Sequence, residues 1–142
     1  MTELTVEHLG AWRAVLNTHA RLTGAIERAL ADHGLPPLAW YDVLWALQRS
    51  GKTLRMGELA DAATISRSGL TRLVDRLEAE GLLERRPAKD DRRAIEVTVT
   101  AAGSRLLRRM WPVYEQVLRE AFEAKLSRAD ARAVSAALGK LI

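Results

Sequence analysis

The stretch Ser66-Arg67-Ser68-Gly69-Leu70-Thr71-Arg72-Leu73-Val74-Asp75-Arg76-Leu77-Glu78 decides how the rest of the chain is read. At about 100° per residue, Leu70, Leu73, Val74 and Leu77 fall in an arc roughly 100° wide, the buried stripe of an amphipathic helix. Arg67, Ser68, Thr71, Arg72, Asp75 and Arg76 take the opposite half-turn. Ser66 is placed to accept a free N–H of the first turn, and Gly81 to stop the helix after Glu80. One side enters a core. The other offers hydroxyls and guanidiniums in a row, the groups that read base edges in a major groove.

Just upstream, residues 56–63 form a second short amphipathic segment, joined through Thr64-Ile65 to Ser66, which gives the outline of a helix-turn-helix. Downstream the period changes to two. Leu82-Leu83-Glu84-Arg85-Arg86 ends at Pro87, and Ile95, Val97 and Val99 alternate with Glu96 and Thr98, predicting a two-stranded hairpin with one buried face. Its tip carries Lys89, Asp90, Asp91, Arg92 and Arg93. Such a wing can put arginine into a narrow minor groove. Asp91 is expected to hold one of these arginines in a single rotamer, and Arg85 and Arg86 at the wing base are candidate phosphate contacts.

Farther out, Val6, Leu9, Trp12, Leu16, Leu22, Ile26 and Leu30 recur at three- and four-residue steps, predicting a helix over 6–33 capped by Thr5 and stopped by Gly34. A second helix follows Pro36-Pro37 over 39–49. A fifth begins after Thr100 and runs through Leu106, Leu107, Met110, Tyr114, Val117, Leu118 and Phe122, with Pro112 expected to kink it. Ser127 caps a sixth. The fold class is mainly α with a small β wing: six helices around a winged helix-turn-helix.

The chain has 142 residues, enough for one domain with a real core. Its hydrophobic fraction of 48% and charged fraction of 28% are those of an ordinary globular protein. It shows no apolar run of the ~18 residues that a membrane span needs and no signal-peptide pattern at its start, so the expected location is the cytoplasm, at the nucleoid when bound to DNA. The absence of cysteine excludes disulfides and thiol-based sensing. A net charge of +4 permits nucleic-acid binding without arguing for it. Residues 52–100 carry ten basic and nine acidic groups, whereas residues 101–142 carry eight and four, so the placement of single arginines has to carry the case.

From Trp40 to Gly103 the chain resembles the MarR family of winged-helix regulators. The matching stretches are Tyr41-Asp42-Val43-Leu44, Leu54-Arg55-Met56-Gly57-Glu58-Leu59-Ala60, Ser66 to Glu78 as quoted above, Gly81-Leu82, Asp91-Arg92-Arg93 and Thr98-Val99-Thr100-Ala101-Ala102-Gly103. The resemblance implies a homodimer built from the first and last helices (residues 1–35 and 104–142), with 36–103 as the DNA-binding lobe. It implies a pseudo-palindromic operator with half-sites about one helical turn apart. Ser66, Arg67, Ser68, Thr71, Arg72 and Arg76 then map to the major groove. Lys89, Asp91, Arg92 and Arg93 map to the wing, with Arg93 entering the minor groove.

The family resemblance also implies release from DNA by a small aromatic ligand. Trp12, Asp42, Trp45 and Trp111 are the candidate pocket residues, although core and dimer-interface packing is the simpler account of the tryptophans. Trp40 and Trp45 lie five positions apart, about 140° round a helix, and do not share one pocket wall. His8, His19 and His33 are 11 and 14 residues apart on one helix, too far to share an ion, so no metal site or cofactor is expected. No nucleophile–histidine pair, Gly-rich phosphate loop or acid pair in a recognisable setting argues for an enzyme. The competing reading is a winged-helix module that binds protein or RNA, which predicts weak, sequence-indifferent binding to duplex DNA.

Overall fold

The structure, a computed structural model, describes residues 2–142. Two units make up the chain: Gly34–Pro112, and the residues up to His33 together with Val113–Ile142.

The first unit opens with α2 (Leu38–Arg49), which follows α1 (Val6–Asp32) of the other unit and buries Leu38, Tyr41, Val43, Leu44, Ala46 and Leu47. Gly51 and Lys52, both at positive φ, turn the chain into β1 (Thr53–Arg55), and the Lys52 N–H closes back on the Leu47 carbonyl at 2.8 Å. Then come α3 (Met56–Ala63) and α4 (Arg67–Ala79). As its sequence position predicts, Ser66 caps α4, its Oγ accepting the Gly69 N–H at 3.2 Å. Leu70, Val74 and Leu77 are buried. Gly81, at φ +73°, releases the chain into β2 (Leu83–Pro87), and the antiparallel β3 (Ile95–Val99) returns it.

The sheet differs from the expected hairpin. It has three strands in the order β1-β3-β2, because Thr53–Arg55 pairs with Glu96–Thr98. Three residues are too few to display a period of two, so this strand had no pattern to show. Ile95 shares the face of Val97 and Val99 but is exposed, because it pairs with Pro87 at the far end of the ladder, beyond the reach of the core.

Thr100 ties the lobe together. Its Oγ1 donates to the Gly81 carbonyl at 2.7 Å and accepts the Gly103 N–H at 3.1 Å, while its N–H reaches the Leu82 carbonyl at 3.1 Å. That draws the start of α5 (Ala101–Ala121) hard against the backbone between α4 and β2. A β-carbon on Gly103 would lie 2.2 Å from the Leu82 carbonyl oxygen and 2.7 Å from Val99 Cγ2. Only glycine fits there. Helix α5 continues through Pro112, the last residue of this unit.

The second unit contains α1, the rest of α5, and α6 (Arg128–Leu138), whose N-terminus has a reciprocal cap between Ser127 and Asp130. Thr5 caps α1 by accepting the His8 N–H. Val6, Leu9, Trp12 and Leu16 of α1 and Val134, Leu138 and Leu141 near the C-terminus are exposed. No described helix is long and apolar enough to cross a membrane.

Candidate nucleic-acid interface

With Leu70, Val74 and Leu77 facing inward, α4 turns Ser66, Arg67, Ser68, Thr71, Arg72 and Arg76 to the surface, and all six are exposed. Besides Ser66, which caps the helix, two of these side chains are already oriented. Thr71 Oγ1 donates to the Arg67 carbonyl at 3.0 Å. The Arg76 guanidinium lies over the Trp40 ring, 5.9 Å from its centroid, a cation–π contact. Between the N-terminal ends of α3 and α4 lies a cleft of about 230 Å³ lined by Met56, Gly57, Arg67, Leu70 and Thr71.

The wing loop is pinned at its base by the Ala88 N–H bonding the Ala94 carbonyl at 2.9 Å. Lys89, Asp91, Arg92 and Arg93 are exposed on it. The Asp91 carboxylate does not hold a guanidinium. It accepts the backbone N–H of Arg93 at 3.0 Å, an Asx turn that shapes the loop and leaves the Arg93 side chain outward. Among the described residues, Arg67, Arg72, Lys89, Arg92 and Arg93 make no ion pair.

The structure separates Arg85 from Arg86. Neighbours on a strand point to opposite faces. Arg86, on the outer face, carries only an exposed pair with Glu84 at 2.9 Å. Arg85 turns inward to α4, with Nη1 2.6 Å from Asp75 and Nη2 2.9 Å from Glu78, whose second oxygen accepts the Arg85 backbone N–H at 2.8 Å. Those bonds hold the Glu78 carboxyl below its usual range and raise the Arg85 guanidinium, burial opposing both. Arg85, a candidate phosphate contact from its sequence position, thus has its guanidinium engaged by α4 and clamps the wing to that helix.

Sequence reasoning passed over Arg55. Its Nη2 sits 2.7 Å from both carboxylate oxygens of Asp90 in the wing loop, and its backbone N–H donates to Glu58 at 3.0 Å. Asp90 lies 35 residues away in sequence, and no local signal joins the two.

Of the suggested pocket residues, Trp45 and Trp111 flank Tyr41, with ring centroids 6.4 and 6.3 Å away and planes 21° and 23° apart. Both tryptophans are partly exposed, and Asp42 is half-buried in the same unit. Trp12 stands exposed on α1 in the other unit.

Residues 33–94 match the sequence profile of the MarR family. The HTH-type transcriptional repressor IacR of Pseudomonas putida is 30% identical over 105 residues, covering 74% of this chain and 62% of that one. The chain thus spans less than two thirds of the length of the curated relatives it matches. Among solved structures, Sco3205, a MarR family transcriptional regulator of Streptomyces coelicolor in complex with DNA, superposes with a TM-score of 0.88 at 29% identity, over 99% of this chain and 89% of that one. BpsR of Bordetella bronchiseptica, whose DNA binding is regulated by 6-hydroxynicotinic acid, gives 0.81 at 26% identity over 93% and 98%. The profile falls on the segment that builds α2 to the wing, and the superpositions take in nearly all the rest: the chain belongs to the MarR family of winged helix-turn-helix proteins.

Proposed function

We propose that this chain is a sequence-specific regulator of transcription that binds double-stranded DNA as a homodimer, acting as a repressor in the cytoplasm on a pseudo-palindromic operator. One observation carries the reading: Arg67, Arg72, Lys89, Arg92 and Arg93, exposed on the outer face of α4 and the wing loop, make no ion pair among the described residues. Charged groups left unneutralised on one rigid element are what a polyanion recruits. In this reading Ser66, Arg67, Ser68, Thr71 and Arg72 meet base edges and adjoining phosphates. Arg76, braced by Trp40, meets the backbone. Lys89, Arg92 and Arg93 enter the minor groove, and Asp91 sets the loop that aims Arg93. Residues 36–103 act as the DNA lobe, with the flanking helices as the dimer contact.

The likeness to BpsR and the partly exposed Trp45 and Trp111, stacked on the buried Tyr41, support control by a small aromatic ligand. The test is an anisotropy titration on the inverted repeat upstream of the gene, at several salt concentrations, against a scrambled duplex. A strong preference for the repeat is expected, with a steep salt dependence. Equal, weak binding to both duplexes would favour a protein- or RNA-binding module. An aromatic acid should quench tryptophan fluorescence and weaken the same titration; quenching without that shift removes effector control.

A further inference from the structure

Arg55 occupies a place that neither α4 nor the wing fills. It ends β1 opposite Glu96, and its backbone N–H is held by Glu58, so the root of the side chain is fixed. On one side its guanidinium reaches Asp90 in the loop that carries Lys89, Arg92 and Arg93. On the other, the next two residues, Met56 and Gly57, line the cleft shared with Arg67 and Thr71, and Arg67 Nη2 comes within 3.9 Å of where a β-carbon on Gly57 would lie. Arg55 therefore stands between the wing tip and the N-terminal end of the recognition helix. A duplex read by α4 in one groove and by the wing in the next presents to that position the phosphates that separate the grooves.

We propose that Arg55 is a further DNA-backbone contact, held by Asp90 in the free protein and transferred to a phosphate on binding; this rests on the DNA-binding reading above. The pair is built for exchange. Both carboxylate oxygens bond a single guanidinium nitrogen instead of forming the two parallel bonds of a strong fork. The side chains are 40% and 73% exposed, and an ion pair so open to water contributes little. A phosphate offers the same guanidinium an equivalent set of acceptors. Asp90 keeps Arg55 pointed toward the wing until then.

The experiment uses a duplex recovered by the wild-type protein from a randomised pool, with a scrambled duplex beside it, titrated over a salt series. Arg55→Gln should weaken binding to both duplexes by about tenfold and reduce the slope of log affinity against log salt by about two, one for each protomer of the dimer, whereas Arg55→Lys should keep the slope. Asp90→Asn should strengthen binding several-fold, and by more with Arg55 present than in the Arg55→Gln background. Thermal melts of each variant exclude misfolding. The idea is overturned if Arg55→Gln leaves affinity and slope unchanged, or if Asp90→Asn weakens binding as Arg55→Gln does, which would make the pair a prop for the wing. Arg93→Ala separates the two levels. If it loses binding while the Arg55 variants do not, only this inference fails; if the wild type recovers no duplex, the DNA-binding reading fails with it.

Discussion

The two units of this chain are finished to different degrees. Apart from Ile26 and Leu30, every buried apolar side chain among the described residues lies between Leu38 and Met110, inside the winged lobe. The helical unit instead leaves Val6, Leu9, Trp12 and Leu16 along one stripe of α1, and Val134, Leu138 and Leu141 near the C-terminus, open to water. A long helix gains most of its stability from an apolar face that is packed, not from its intrinsic propensity. The lobe has its core within one copy. The helical unit has the apolar faces of a core without the second side, which is the physical case for a homodimer.

The contrast breaks most visibly at Leu16, 47% exposed in the single chain. Leu16→Arg should halve the mass found by light scattering and weaken operator binding at least about a hundredfold, because each half-site then binds alone. The lobe should melt as before. An intact dimer would show that the stripe is not the contact. Next comes Gly103, where the lobe has no slack. Gly103→Ala forces a β-carbon into the Leu82 backbone and Val99, and should cost the lobe about 3 kcal/mol in denaturant unfolding. A cost near zero would mean that α5 can lift off without penalty. Arg93→Ala leaves both units folded and removes one outward cation. Its expected cost is about 2 kcal/mol of operator affinity with no change in melting.

What could be read from the sequence follows the range of the interactions. Thr5, Ser66 and Ser127 cap within three residues of themselves, and the stops at Gly34 and Gly81 are equally local, so those helix ends were legible. The outer face of α4 was legible because 3.6-residue periodicity assigns both of its sides at once. Asp91 was identified as an organiser, but its role was misjudged. A short carboxylate reaches a backbone N–H two residues on more readily than a long guanidinium. The division between Arg85 and Arg86 was available in principle from strand alternation, given the inward Leu83. The Arg55–Asp90 pair was not available, since only the pairing of β1 with β3 brings position 55 beside the wing. Gly103 came as part of a recognised run, and the close approach of Leu82 supplies its reason.

The smallest effect asks whether the two units respond separately to acid. Glu78 is held below its ordinary value of about 4.5 first by the Arg85 side chain and then by the Arg85 backbone N–H. A carboxylate lowered in the folded state stabilises above its ordinary value, and that contribution is lost as pH falls through the lowered one. The clamp between wing and α4 should therefore weaken only below about pH 4.5. With Glu78 37% exposed, solvent screening limits the contribution to about 1 kcal/mol or less. Glu7 and Asp130, lowered by cap bonds in the helical unit, titrate in the same acid range, so a global melt would mix the units. Trp12→Phe resolves this, because the remaining tryptophans, Trp40, Trp45 and Trp111, all lie in the lobe. In that background Glu78→Gln should flatten the acid limb seen by fluorescence and leave the neutral-pH helix content by circular dichroism unchanged. An acid limb identical with and without Glu78→Gln would mean that the clamp carries no net stability, and that the wing is held to α4 by the strand ladder and the buried side chains alone.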